Sequence, residues 1–333
     1  MLLSIGMMVK NEEKHLEECL QSLEPIREKL DSELVIVDTG SDDNTVEIAK
    51  RYTEKVYFHE WNDHFAEMRN TVIEYCKGEW VFVIDGDEVV ENPKDIINFF
   101  HTNKYKKYNT ALVTQKNYAN EEKTSTSKAL VPRVFKNDEN FHFEGAIHNQ
   151  PVTKEPIYRL DTILEHFGYI QEDQELMDKK FERTAGILKR ELKKDPRNIY
   201  NRYQLANTYG MHGDYDKAIE NYDTFIRTSG SYQLDEFKTA HYNLGYAWFK
   251  KKNYQEAASW FRKYENLMDG RQSPMLGDAL SRIGDAFFMQ RDFQRAINYY
   301  ERAPNVPGAS ADYAMYQKAF AMGIEKEHEG KID

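Results

Sequence analysis

At 333 residues the chain exceeds the usual size of one hydrophobic core, so two domains are expected. An apolar content of 40% with 13% aromatics is globular, and 45 basic against 56 acidic residues gives a net charge of −11, which argues against a general binder of nucleic acid or anionic membrane. Two cysteines, Cys19 and Cys76, leave no disulfide framework and read as core thiols in a reducing compartment. No apolar run approaches the roughly 20 residues that span a bilayer. The N-terminus lacks a basic leader with a small-residue cleavage site, so a cytoplasmic protein is expected.

The first hundred residues alternate two periods. Residues 2–9 form a buried-strand run, 12–26 carry helical spacing through Leu16, Cys19, Leu20 and Leu23, and 33–38 are again a strand. Residues 45–52 read as helix, 55–60 as extended, 64–76 as helix and 79–85 as extended. This alternation predicts an α/β domain around a parallel sheet covered on both faces, whose ligands bind outside the carboxyl ends of the strands. Polar residues gather at those ends: Lys10, Asn11 and Glu12 after the first strand, Asp38 to Asp42 after the second, Asp85 to Glu88 after the fourth. Residues 103–170 are less regular and read as the second half of the same domain, with the polar tract 120–128 as a surface loop.

From about residue 176 the pattern is helical throughout and repeats. Leu205-Ala206, Leu244-Gly245, Ile283-Gly284 and Met322-Gly323 recur every 39 residues, as do Tyr215, Tyr254 and Phe293, and Ala218, Ala257 and Ala296. This resembles the tetratricopeptide pattern, lengthened from its usual period of about 34 residues. The fourth unit is truncated, and its helix near 312–327 is expected to cap the stack. Residues 1–172 are therefore read as the α/β domain and 173–333 as an all-α, tetratricopeptide-like repeat domain.

The run VFVID drives a strand into three carboxylates, Asp85, Asp87 and Glu88. Two readings stand. Asp-Gly is a common turn, and an acidic turn needs no ligand. Alternatively Asp85 and Asp87, sharing one side of an extended backbone, hold a hard divalent cation that keeps positions open for phosphate oxygens. Asp42 and Asn44 are candidate helix caps. Arg69 is either a solvated charge or, facing the crevice, a planar donor for a diphosphate.

Taken in order, MVKNEE (8–13), VDTGSDDNT (37–45), FAEMRN (65–70), EWVFVIDGDE (79–88), RVFK (133–136), FEGAIHN (143–149) and HFGY (166–169) resemble the metal-dependent family 2 glycosyltransferases. The similarity is to the branch with a KNE-type first loop and a helical repeat tail, which includes the sublancin-type peptide S-glycosyltransferases. The resemblance implies a GT-A, Rossmann-like nucleotide-sugar domain followed by the repeat domain, using Mn²⁺ or Mg²⁺ and a UDP-sugar. It implies that Val9, Asn11, Glu12 and Asp38 hold the nucleotide, with Asp38 on the uracil or ribose. Arg69 is implied to contact nucleotide or phosphates, Asp85 to lie near ribose and metal, and Asp87 and His166 to bind the metal. The branch usually reads His-Glu where this chain reads His148-Asn149, and an amide is no base. Glu144, His148 and Glu88 are the remaining candidates for that role.

The expected activity is inverting hexosyl transfer to a peptide Cys or Ser side chain or to a cell-surface glycan precursor. The repeats are expected to bind an extended acceptor or to pair in a homodimer. Two rivals are a nucleotide-binding repeat adaptor without turnover and a metal-dependent phosphohydrolase. The second would need more histidine and aspartate ligands than His142, His148 and His166 supply.

Overall fold

The computed structural model describes residues 1–118, 120, 122–147, 149–168, 174–230, 235–268, 270–271, 273–306 and 310–329. The chain divides into two compact units, Met1–Lys179 and Lys180–Asp333. In the first, β1 (Leu3–Val9), α1 (Leu16–Lys29), β2 (Ser32–Asp38), α2 (Thr45–Lys50), β3 (Val56–Phe58), α3 (Phe65–Tyr75) and β4 (Trp80–Val83) alternate as the periodicity predicts. There follow β5 (Glu88–Val90), α4 (Lys94–His101), β6 (Thr110–Tyr118), β7 (Thr126–Lys136), β8 (Phe143–Glu144), β9 (Gln150–Pro151) and β10 (Ile157–His166).

Eight strands form one sheet in the order β3-β2-β1-β4-β7-β6-β10-β5. The expectation of a parallel sheet holds for β3, β2, β1 and β4 and for the β6–β10 pair. It fails at β7, which runs antiparallel to both β4 and β6, and at β5, antiparallel to β10. The link from β6 to β7 is too short for a crossover, so these strands can pair only as a hairpin. The sheet is therefore mixed.

Strand alternation explains the burial on both faces. Leu3, Ile5, Met7 and Val9 of β1, with Leu34, Ile36, Trp80 and Phe82, join α1 and α4 in one core. Val35, Val37, Val81 and Val83 point the other way, onto Ala66, Val72 and Cys76 of α3 and its border. That second face needs Gly6, where a Cβ would stand 2.9 Å from Val72 Cγ1. Both cysteines are free and buried, as expected of core thiols, and burial pushes Cys76 up to about 12.

A polar staple closes the edge of this sheet away from the strand ends. Glu33 accepts from Ser4 Oγ at 2.5 Å and from the Lys77 amide at 2.6 Å, and pairs with Lys55. Its side chain is 4% exposed, so these donors replace the water it has lost.

The second architecture is helical: α5 (Gln174–Lys194), α6 (Ile199–His212), α7 (Tyr215–Ser229), α8 (Asp235–Lys250), α9 (Tyr254–Met268), α10 (Pro274–Met289), α11 (Phe293–Arg302) and α12 (Ala311–Glu329). The three repeats are the pairs α6/α7, α8/α9 and α10/α11. Ala218, Ala257 and Ala296 are each fully buried, which is why the same small residue recurs in every second helix. The chain thus joins a Rossmann-like mixed-sheet domain to a tetratricopeptide-like repeat domain. No helix among the described residues is long and apolar enough to cross a membrane.

Candidate active site

Three strand ends meet at the carboxyl edge of the sheet, as sheet physics predicts. The turns after β1 and β2 are hydrogen-bonded to each other. Asn11, in the left-handed region at φ 55°, donates its amide to Ser41 Oγ at 2.9 Å and accepts from the Asp42 amide at 2.9 Å. Glu12 donates its amide to Thr45 Oγ1 at 2.7 Å, and Glu13 accepts from both the amide and the side chain of Asn44. Asp38 is turned into its own loop, accepting from the amides of Gly40 and Ser41, and is 3% exposed. These bonds shape the loop after β2. Val9 and Glu12 border the acidic turn, where a Cβ on Gly86 would come within 3.1–3.2 Å of Glu12 Cγ and Val9 Cγ1.

The positive charge inside the acidic cluster is supplied by arginine. Arg69 Nη2 donates to Asp85 Oδ1 at 2.7 Å, and Arg133 Nη2 donates to Asp85 Oδ2 at 3.2 Å and to Glu88 Oε1 at 2.5 Å. Burial alone would raise the Asp85 carboxyl, but Arg69 and Arg133 outweigh it and hold Asp85 well below the usual carboxylate range. Each Asp85 oxygen accepts from a guanidinium group, so the two arginines hold the carboxylate in place.

After the acidic turn the chain forms β5, whose first residue, Glu88, pairs with His166 in the β10 register. Glu88 is 0% exposed, and its oxygens accept from Arg133, Gln115 Nε2 at 2.6 Å and the Asp85 amide at 3.0 Å. Burial pushes it above its ordinary value, with Arg133 pulling against that shift. So enclosed, Glu88 anchors Arg133, Gln115 and the acidic turn to one another.

Asp87 and His166 converge. His166 Nε2 lies 3.4 Å from Asp87 Oδ2, while its Nδ1 bonds Asn117 Oδ1 at 2.8 Å. Burial would lower His166, but the Asp87 carboxylate outweighs it and raises the imidazole above its ordinary value. Asn117 fixes Nδ1–H, which leaves Nε2 aimed at the Asp87 side, the orientation a metal-ligating histidine requires. Gly168 makes room: a Cβ there would stand 2.3 Å from Asp87 Oδ2 and 2.8 Å from His166 Nε2.

No group of three or more His, Cys, Asp or Glu side chains is arranged to hold a metal among the described residues. The donor set that is present, one carboxylate and one oriented imidazole, suits a hard cation completed by water and phosphate oxygens. Among the described residues the buried Nε atoms of Arg69 and Arg133 have no hydrogen-bond partner.

Glu144 lies on β8, which is bound to α3 by Asn70: Phe143 donates to Asn70 Oδ1 at 2.8 Å, and Asn70 Nδ2 donates to Phe143 O at 3.0 Å. Arg69 stacks over the Phe143 ring at 5.5 Å. The Glu144 side chain is 70% exposed and meets His142 Nε2 at 3.1 Å. His148 lies outside the described residues. Arg133, Gln115 and Asn117 are site residues to which sequence reading assigned no role. RVFK was recognisable as a motif, but only the sheet order places Arg133 beside Asp85.

A Rossmann-like sheet with carboxylates and arginines at its strand ends, followed by a helical repeat stack, defines the class. Residues 4–150 match the family model Glycosyl transferase family 2, and residues 203–274 and 278–305 match models of the tetratricopeptide repeat. The chain therefore carries a glycosyltransferase family 2 domain followed by tetratricopeptide repeats.

It is 24% identical over 204 residues to the SPbeta prophage-derived glycosyltransferase SunS of Bacillus subtilis, covering 59% of this chain and 46% of that relative. It is 33% identical over 91 residues to the lipopolysaccharide core biosynthesis glycosyltransferase LpsC of Rhizobium meliloti, covering 26% and 32%. The chain spans less than half the length of these curated relatives. Among solved structures it is similar to S. aureus TarS, at 15% identity and TM-score 0.41 over 82% of this chain and 56% of that one.

Proposed function

We propose that the chain is a divalent-metal-dependent, inverting glycosyltransferase that moves a sugar from a UDP-sugar to an acceptor nucleophile in the cytoplasm. The observation that carries this reading is the convergence of Asp87 and an oriented His166 at the strand ends, 3.4 Å apart. In this reading Asp87 and His166 hold Mn²⁺ or Mg²⁺, which neutralises charge on the departing diphosphate. Arg69 and Arg133 stand behind them, and their field favours the same developing charge. The turn Val9–Glu12 and the loop shaped by Asp38 flank the nucleotide, with Asp85 keeping the two arginines in place.

Residues 1–172 then serve as the transferase domain and 173–333 as the repeat domain that engages a macromolecular acceptor. The acceptor is a peptide Cys or Ser side chain or a cell-surface glycan precursor. With Glu88 enclosed, the base falls to Glu144 or His148. A thiol acceptor relaxes the demand on that base, because thiolate is appreciably populated near pH 8. Isothermal titration with UDP, with and without Mn²⁺, on the native chain and on Asp87→Ala tests the reading. Binding that needs both metal and Asp87 supports it; no binding under any condition overturns it.

A further inference from the structure

In a chain of net charge −11, one cleft inside the repeat stack is basic. It opens between the second helices α9 and α11, over the last turn of α10, with a volume of about 470 Å³. Buried Ala258 and Phe287 form its floor, and its walls carry Arg262, Lys263 and Arg295 among side-chain amides, with no carboxylate lining it. Arg295 is tethered: its Nε donates to Asp292 Oδ2 at 2.5 Å, and its guanidinium lies 4.4 Å from the centre of the Phe287 ring. Further along the same seam, Glu265 is taken up by Arg302. Among the described residues neither Arg262 nor Lys263 pairs with a carboxylate.

The stack itself does not require these charges. Thirty-nine residues earlier, the places of Gln255, Ser259 and Arg262 are held by Asp216, Glu220 and Asp223 of α7, and that of Arg295 by Glu256 of α9. Packing repeats between these units, since Ala218, Ala257 and Ala296 are each fully buried, but the charge inverts. Cations gathered where the preceding repeat has carboxylates create a local field that attracts an anion.

The uncharged groups narrow the class of anion. From Gln255 to Asn266 the α9 wall rises about 16 Å, the length of about five residues of extended chain. Gln255, Asn266 and Gln290 each offer a donor and an acceptor, which matches peptide groups; phosphate oxygens use the donors alone. We propose that this cleft binds an extended acidic segment of polypeptide, with its carboxylates on Arg262, Lys263 and Arg295 and its backbone on the amides.

The probe is a fluorescein-labelled peptide, Glu-Ser-Glu-Ser-Glu-Ser-Glu, whose carboxylates share one side when extended, titrated with the full chain at two salt concentrations. Saturable binding is expected, weaker at the higher salt and absent when Gln replaces each Glu of the peptide. It should weaken at least tenfold in the double variant Arg262→Glu with Lys263→Glu, and at least twofold in Gln255→Leu with Gln290→Leu. These four side chains are exposed, so the thermal midpoints should stay within a few degrees of native. Lys106→Glu with Lys107→Glu, an equal charge change on exposed lysines outside the cleft, should leave the affinity unchanged. No saturable binding, or an equal loss in both charge-reversed variants, overturns the proposal. So does tripolyphosphate that binds more tightly than the peptide and ignores the Gln255→Leu with Gln290→Leu change, which would assign the cleft to phosphate. A native chain that self-associates by light scattering and becomes monomeric with Arg262→Glu and Lys263→Glu would also overturn it, by placing a second copy's acidic α7 there.

Discussion

Arg133 Nη2 lies 2.5 Å from Glu88 Oε1, and neither side chain is open to bulk water: the arginine is 12% exposed and the glutamate 0%. Removing one partner of such a pair strands the other charge, at a cost of about 3–5 kcal/mol. Arg133→Met is therefore expected to lower the urea midpoint of the first domain sharply. The double variant Arg133→Met with Glu88→Gln should recover most of the loss, since the stranded charge is gone. A single variant as stable as the native chain would contradict the buried pairing.

Gly168 offers a local test of the Asp87–His166 arrangement. A methyl group there cannot coexist with the present positions of Asp87 Oδ2 and His166 Nε2. Gly168→Ala should weaken metal-dependent UDP binding at least tenfold while shifting the thermal midpoint by only a few degrees, as calorimetry on one sample can read. Unchanged affinity would mean that the pair does not hold the donor.

In the repeats, Gly284→Ala forces the Tyr300 ring aside, and overpacking of this kind costs about 1–3 kcal/mol. Gly323→Ala meets open space and removes a mid-helix glycine, for a gain of about 0.5–1 kcal/mol. The two substitutions, chemically identical and 39 residues apart, should therefore move the repeat unfolding transition in opposite directions, as circular dichroism at 222 nm can follow.

Glu33 gives a pH signature. Burial would raise its carboxyl, but Lys55, Ser4 and the Lys77 amide outweigh burial and leave it below its ordinary 4.5. A carboxylate lowered on folding contributes stability above its unfolded value and loses it as pH falls through the folded one. Stability should therefore decline from about pH 4.5 downward, and Glu33→Gln should flatten that part of the profile while costing about 1–3 kcal/mol at neutral pH. Parallel acid titrations of the two proteins by tryptophan fluorescence would show it.

What could be read without coordinates was whatever repeats at short range. The strands and helices up to Val83, the 39-residue register and the gathering of Asp38, Asp85, Asp87 and His166 near strand ends all rest on local periodicity or motif order. The misses rest on pairing between distant strands. A three-residue strand such as Glu88–Val90 has no period to detect, and its partner is a strand more than seventy residues later. Arg133 reads as an ordinary strand residue until β7 is placed beside β4, and Asn117 matters only because β6 lies beside β10. The two arginines that pair with Asp85 and Glu88 are legible only once those distant strands are placed.

The bonds between the turns after β1 and β2 bear on how such a protein could be redesigned. Asn11, Glu12 and Glu13 are tied to Ser41, Asp42, Asn44 and Thr45 by side chains on both sides. Neither turn can take a new conformation while the other keeps its own. A graft that replaces either turn therefore has to carry residues 10–13 and 41–45 together, since a transplant of one alone would bring half of a hydrogen-bonded lock without its counterpart.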